Sequence, residues 1–271
     1  MRFIAKQPKE GINVSDTHPL VEAGALVTGL SIIFVIIAMM LIFVVELALY
    51  FVSAEDEVNL FGDWMPTDLI TVAPNDERLG QTQLLVDRLS QHWPDSPYTF
   101  RVEIDDSDTS NAMALPGGLI IVTQGLLDQV ESENELAFVL GHELGHFKNR
   151  DHLRALGRGI VLSIFFAVVT GNDVSGIGIS AADVALKGFS RKQESQADEF
   201  GLYIVNEEYG HVDEAWRLFE RWSVDDSSLI DFVTYLSTHP ESGDRVNDLQ
   251  RYAELQGWQL AGEIQSLSWQ N

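Results

Sequence analysis

The chain has 271 residues, 45% of them hydrophobic, enough for one domain with a sizeable core plus appendages. Its 17 basic and 41 acidic residues give a net charge of −24, which argues against nucleic acid as a partner. It contains no cysteine, so disulfides and thiolate metal sites are excluded.

Residues 1–22 carry Arg2, Lys6 and Lys9 ahead of an apolar run, Gly24 to Val45, that holds no charge. Such a run meets the ~20 residues that a membrane-spanning helix requires. Glu46 interrupts it and Leu47 to Val52 continue it. The rival reading is a cleaved signal peptide, but its apolar core is about 7–15 residues and lies near the start. Residues 23–52 are therefore expected to be an uncleaved anchor in membrane lipid. Glu55, Asp56, Glu57 and Asp63 follow it. The positive-inside rule then puts the N-terminal segment in the cytoplasm and the remainder outside, in the periplasm of a Gram-negative cell. The expectation is a single-pass protein of the inner (cytoplasmic) membrane, with an acidic linker at 53–64 and a soluble domain at 65–271.

Further along, Arg78 to His92 reads as a helix and Tyr98 to Ile104 alternates as a strand. Asn111 to Val122 reads as a bend, a Pro116-Gly117-Gly118 turn and a β-branched strand. Ser132 and Glu135 fit a capping box opening a helix whose apolar face is Leu136, Val139, Leu140 and Phe147. That helix is expected to continue through Arg158. Ile160 to Thr170 is apolar but too short to span a bilayer, and reads either as a core helix or as a segment dipping into the membrane. Lys148, Arg150, Arg154, Arg158, Lys187, Arg191 and Lys192 flank it, which suits anionic lipid as well as solvated helix faces. Val212 to Ser223 and Pro240 to Gln256 are further helices. A small sheet beside many helices gives an α+β fold, mostly helical, with one N-terminal membrane helix.

Within the Ser132 helix lies His142-Glu143-Leu144-Gly145-His146, an HExxH motif. Residues four apart share a helix face, so the two imidazoles can grip one metal ion while Glu143 lies beside its open position. That is the pattern of a zinc peptidase, with Glu143 as the base for the attacking water. A third ligand is needed, and there are two candidates. His152 lies six residues after His146, the metzincin spacing, but Asn149 replaces the usual Gly and all five Met precede the motif, so no Met-turn follows. A continued helix would also carry His152 away, leaving it a helix-surface residue or a neighbour of a ligand. Glu194, in Glu194-Ser195-Gln196-Ala197-Asp198, is the other candidate. Asp198 shares its helix face and can accept the free N–H of a ligand His, and Ala197 and Gly201 allow close helix packing. His18, His92 and His211 read as solvated surface.

These blocks, together with Asn111-Ala112-Met113-Ala114-Leu115-Pro116-Gly117-Gly118 and Ser237-Thr238-His239-Pro240 ahead of Arg245, resemble zinc metallopeptidase family M48 in the family's order. The resemblance runs from about residue 65 to 255. It implies a zincin-like fold of gluzincin type, one Zn2+ held by His142, His146 and Glu194, and a membrane-associated endopeptidase acting on misfolded or membrane and envelope polypeptides. It also implies that His239 faces the zinc as an oxyanion donor, and that Asn111, the Ala112 backbone and the Gly117-Gly118 turn line the substrate side. Read from the residues alone, Asn111 is an Asx-turn residue, the glycines are a turn, and Arg245 pairs with a buried acid. The alternative function is a catalytically silent chaperone or adaptor on a peptidase fold, although neither ligand nor base is missing. A hydrolase of a non-peptide ester or amide also fits the motif alone.

Overall fold

The computed structural model describes residues 17–63, 71–73, 76–170, 189–224, 239 and 244–270, with backbone only for residues 162, 164–170 and 270. The expected charges at Arg2, Lys6, Lys9 and Lys187, and the expected helix start at Pro240, lie outside the described residues.

Helix α1 spans Pro19–Phe51. His18 caps it by accepting the Leu20 N–H, and Pro19, which has no N–H to satisfy, opens it. Its 33 residues make about 50 Å of helix against a ~30 Å hydrocarbon core. No residue of it is buried, and Leu26, Leu30, Ile33, Ile36, Met40 and Phe43 are exposed. It is the one described helix long and apolar enough to cross a membrane. Residues expected to be linker form helix α2, Ala54–Phe61, opened by a Ser53–Asp56 capping box. Its Glu57 is fully buried.

The domain continues with α3 (Arg78–Ser90), strands β1 (Arg101–Asp105), β2 (Ala112–Leu115) and β3 (Leu119–Thr123), and the short α4 (Gln124–Gln129). The three-stranded sheet has the order β1-β3-β2, with β1 parallel and β2 antiparallel to β3. Central β3 is buried throughout, and Val102 and Ile104 of β1 point into the core with Leu85, Val86 and Leu89 of α3. Strand β2 is an edge, and it faces the helix that carries the HExxH motif.

That helix is α5 (Glu133–Asn149). Ser132 caps it by accepting the Glu135 N–H at 3.2 Å. The reciprocal half of the expected capping box falls one residue back, with the Glu135 carboxylate accepting the Glu131 N–H and binding Arg221. The expected continuation through Arg158 is broken. Arg150 adopts a left-handed conformation, φ 58°, which ends α5 and starts α6 (Asp151–Thr170) in a new direction. Helices α7 (Arg191–Tyr209), α8 (Arg217–Val224) and α9 (Arg245–Gln256) are the remaining α-helices among the described residues.

Helices α5 and α7 meet backbone to backbone. A Cβ on Gly145 would lie 2.7 Å from the Ala197 Cα, and one on Gly141 would lie 3.1 Å from the Gly201 Cα. The small residues read from the sequence as permitting close packing are therefore the seam itself. Gly145→Ala forces the two helices apart. We expect a loss of roughly 1–3 kcal/mol, the usual penalty for overpacking, read as a lower denaturant midpoint with unchanged slope.

Candidate metal centre

The seam brings two helix faces together at one point. From α5 come His142, Glu143 and His146, all fully buried, and from α7 come Glu194 and Asp198, also buried. His239, 1% exposed, closes the site from a third side. One nitrogen or oxygen from each of His142, His146, Glu194 and His239 can be chosen so that all lie within 4.8 Å of one another.

The spacing decides what this cluster could hold. The His142 and His146 Nε2 atoms are 3.0 Å apart, and Glu194 oxygens lie 3.4 Å and 3.6 Å from them. The His239 Nδ1 is 3.3 Å from His142 Nε2 and 3.4 Å from Glu194 Oε2. A tetrahedral ion with bonds of about 2.1 Å has ligand–ligand edges of about 3.4 Å. Both Glu194 oxygens are buried with no hydrogen-bond partner among the described residues. Buried carboxylate oxygens without donors, beside imidazole nitrogens that face each other, fit a small cation with nitrogen and oxygen ligands.

The electrostatics agree. Burial alone favours a neutral His142, yet its hydrogen bond to Asp198 and the neighbouring Glu194 carboxylate outweigh that and push it up to about 10. Burial works against an ionised Glu194 too, but the charge of His239 and the His142 and His239 nitrogens 3.4 Å away hold it well below the usual carboxylate range. The carboxylates thus favour positive charge beside His142, a charge that a bound cation could supply in place of a proton. His146 is shifted the other way, its burial keeping the ring neutral, as a ligand nitrogen must be.

Each helix-borne imidazole is oriented through its second nitrogen. His142 Nδ1 lies 2.8 Å from Asp198 Oδ1, and Arg245 holds Asp198 with bonds of 2.6 Å and 3.0 Å. Arg245 also lies over the Phe219 ring at 4.1 Å, so it pairs with a buried acid as its reading anticipated. Burial raises the Asp198 pKa, but the Arg245 charge and the His142 hydrogen bond hold it below its ordinary value. His146 Nδ1 lies 3.2 Å from Asp151 Oδ2, and Phe189 stacks on the ring at 3.9 Å. Neither Asp151 nor Phe189 was found from the sequence. An acid five residues after the second motif His was the available signal for Asp151; nothing in the sequence marked Phe189.

Glu143 stands apart from that four-residue cluster. Both its oxygens are buried without a hydrogen-bond partner among the described residues, and His239 Nε2 is 3.7 Å from one of them. The same His239 nitrogen is 3.3 Å from the Ala112 carbonyl, which brings the edge strand β2 to the site. Asn111 is buried, and its Oδ1 accepts the Ala112 N–H at 3.0 Å. Gly117 and Gly118 lie at the far end of β2, both with φ +84°. The structure places Gly117 against α2, its N–H on Glu57 and a hypothetical Cβ 2.3 Å from the Phe61 carbonyl oxygen. His152 is not brought to the cluster. It is buried, with Nε2 2.7 Å from Glu57 and Nδ1 3.4 Å from the His146 carbonyl. Of the histidines read as surface, His211 is instead buried, bonded to the Glu263 carbonyl and accepting the Asp213 N–H.

Comparison with known sequences gives the same direction. The profile of Peptidase family M48 matches residues 77–253. Mitochondrial metalloendopeptidase OMA1 of Schizosaccharomyces pombe is 30% identical over 154 residues, covering 53% of this chain and 44% of that protein. Its counterpart in Danio rerio is 30% identical over 199 residues, 66% and 42% of the two chains. The putative beta-barrel assembly-enhancing protease of Vibrio cholerae is 27% identical over 171 residues, 58% and 35%. The chain thus spans less than half the length of these relatives.

Proposed function

The chain belongs to peptidase family M48, and on that premise we propose that it is a membrane-anchored zinc endopeptidase. The observation that carries this reading is the set of near-tetrahedral spacings among His142, His146 and Glu194 beside a buried Glu143 whose oxygens have no hydrogen-bond partner among the described residues. Zinc held by those three residues would lower the pKa of a water molecule and polarise a peptide carbonyl. Glu143 is the base that takes the proton from the attacking water and passes it to the leaving amine. Asp198 and Asp151 fix the orientation of the two histidines. A peptide docks as an added strand along the free edge of β2, held mainly by backbone hydrogen bonds, which suits unfolded segments of misfolded, membrane or envelope proteins. His239 fills the fourth side of the cluster, next to the place a substrate carbonyl would occupy. The imidazole then stands beside the developing oxyanion and donates to it. Loss of casein hydrolysis on chelation, with recovery on adding zinc, tests the reading; a chaperone or adaptor on the same fold would show neither.

The membrane reading also sharpens. Helix α6 starts at the C-terminal end of α1 and runs back along it. The Arg150 guanidinium donates to the Leu49 and Val52 carbonyls, Arg154 pairs with Glu46 at 3.0 Å, and a Cβ on Gly157 would lie 2.3 Å from Val45. On α1, Phe34, Ala38, Leu41, Val45 and Leu49 form a half-buried stripe at helical spacing. If α1 spans the bilayer, the charge-free stretch from Gly159 to Thr170 enters the same layer beside it. On this proposal it dips rather than crosses, since Phe189 stacks on His146 at the site. The natural chain has no cysteine, so single replacements report cleanly. In open membrane fragments, Ile160→Cys should resist a water-borne maleimide while Leu255→Cys, on an exposed surface, labels fully. Equal labelling of both would refute the insertion of α6.

A further inference from the structure

Glu57 is the one acidic side chain of α2 that is buried, although its neighbours Glu55 and Asp56 are exposed. Its carboxylate accepts from three separate parts of the domain. Tyr98, leading into β1, donates at 2.7 Å; His152, opening α6, lies at 2.7 Å; and the Gly117 N–H, in the β2–β3 turn, donates at 3.1 Å. Burial works against the ionised form, yet these donors outweigh it and hold the carboxyl below its ordinary range. The contact at Gly117 is also steric. The Phe61 carbonyl comes so close that a side chain at 117 would overlap it, and the positive φ excludes most other residues there. On the other side, a Cβ on Gly118 would lie 2.8 Å from the Thr99 carbonyl oxygen, and the Gly118 carbonyl accepts the Arg101 N–H. The turn is therefore clamped, with α2 as one jaw.

Strand β2 has only four residues, so the turn at its far end sets the position of Ala112 at the metal site. We propose that Glu57 is a positioning residue for the docking edge: through Gly117 it fixes the height and register of β2 against the cleft. Helix α2 directly follows α1, and Arg150 ties the end of α1 to the corner that carries His152. The membrane-proximal segment is thus a working part of the cleft. This rests on the peptidase reading above, since it assigns β2 as the substrate edge.

The test compares Glu57→Ala and Glu57→Gln with Tyr98→Phe in the full-length, zinc-loaded protein. Tyr98→Phe removes one donor to Glu57 but leaves the Gly117 bond in place, and its ring stays packed on Phe100 and Phe147. It serves as the control for lost stability alone. Misplacement of a substrate edge by even 1 Å is felt strongly, so KM for a peptide should rise roughly tenfold in Glu57→Ala, with kcat and zinc content little changed. Glu57→Gln, which keeps one acceptor oxygen, should fall between. Tyr98→Phe should lower Tm without moving KM. Amide exchange at Gly117 supplies a readout independent of activity, and should quicken in Glu57→Ala but not in Tyr98→Phe. If Gly117 exchanges at the wild-type rate in Glu57→Ala, or if the two variants change KM and exchange alike, the proposal is overturned. If the wild-type protein cleaves no peptide, the parent reading fails, while Gly117 exchange still reports whether Glu57 holds the turn.

Discussion

Glu143→Gln should reduce peptide hydrolysis by roughly a thousandfold or more while the protein retains its metal. The change is isosteric and leaves the packing of α5 intact, so the backbone seam with α7 persists. What is lost is a proton acceptor. General-base catalysis contributes about 10²–10⁴-fold, and an amide cannot take the proton from water or return it to the amine. Metal retention follows from the geometry, because Glu143 is not among the residues whose ligand atoms converge within 4.8 Å. Metal content by mass spectrometry and turnover of a fluorogenic peptide measure the two halves separately. Near-normal turnover would sink the role of Glu143, and loss of metal would move it into the ligand set.

Glu194→Ala should lower zinc affinity by more than about 100-fold, since loss even of a residue that merely orients a ligand costs 10–100-fold. His152→Ala should leave metal content near normal. The physical difference lies in where the two side chains point. Glu194 oxygens lie 3.4 Å and 3.6 Å from the His142 and His146 nitrogens, with no hydrogen-bond partner among the described residues. His152 turns its nitrogens to Glu57 and to a backbone carbonyl. Its removal should register as lost stability, because the buried Glu57 carboxylate loses a donor. The reverse pattern, zinc lost with His152 and kept without Glu194, would restore the metzincin spacing as the correct one.

The parts of the site legible in the sequence are those set by local periodicity. His142 and His146 share a helix face by arithmetic alone, and Ala197 and Gly201 announced a close helix contact that could bring Glu194 into range. The family resemblance pointed to His239, which no local rule distinguishes from a surface histidine before a proline. What stayed hidden depends on tertiary geometry. Strand β2 was read as a bend because Ala112-Met113-Ala114-Leu115 has weak strand propensity, and its pairing with β3 decides the matter. The break at Arg150 was missed because an arginine gives no warning of a left-handed conformation; the α1 carbonyls that its guanidinium meets are about a hundred residues away. Glu57 sits among acidic neighbours and reads as solvated charge, and only the placement of α2 on the Gly117 turn reveals it as buried.

The contact between Gly141, Gly145, Ala197 and Gly201 has a thermodynamic consequence. In small metal-dependent domains the ion draws the ligands together, and binding free energy is folding free energy. Here the helices that carry the proposed ligands meet backbone to backbone beside the main hydrophobic core, contacts that need no metal to form, so we expect the ion to have little to organise. Folding and loading are therefore separable events. A chelated sample should retain its far-ultraviolet circular dichroism and unfold in one cooperative step. Added zinc should raise its Tm only by mass action, in proportion to the logarithm of the free ion concentration. On the proposed function, a cell could then hold the folded protein without metal, and metal supply would govern how much of it is active.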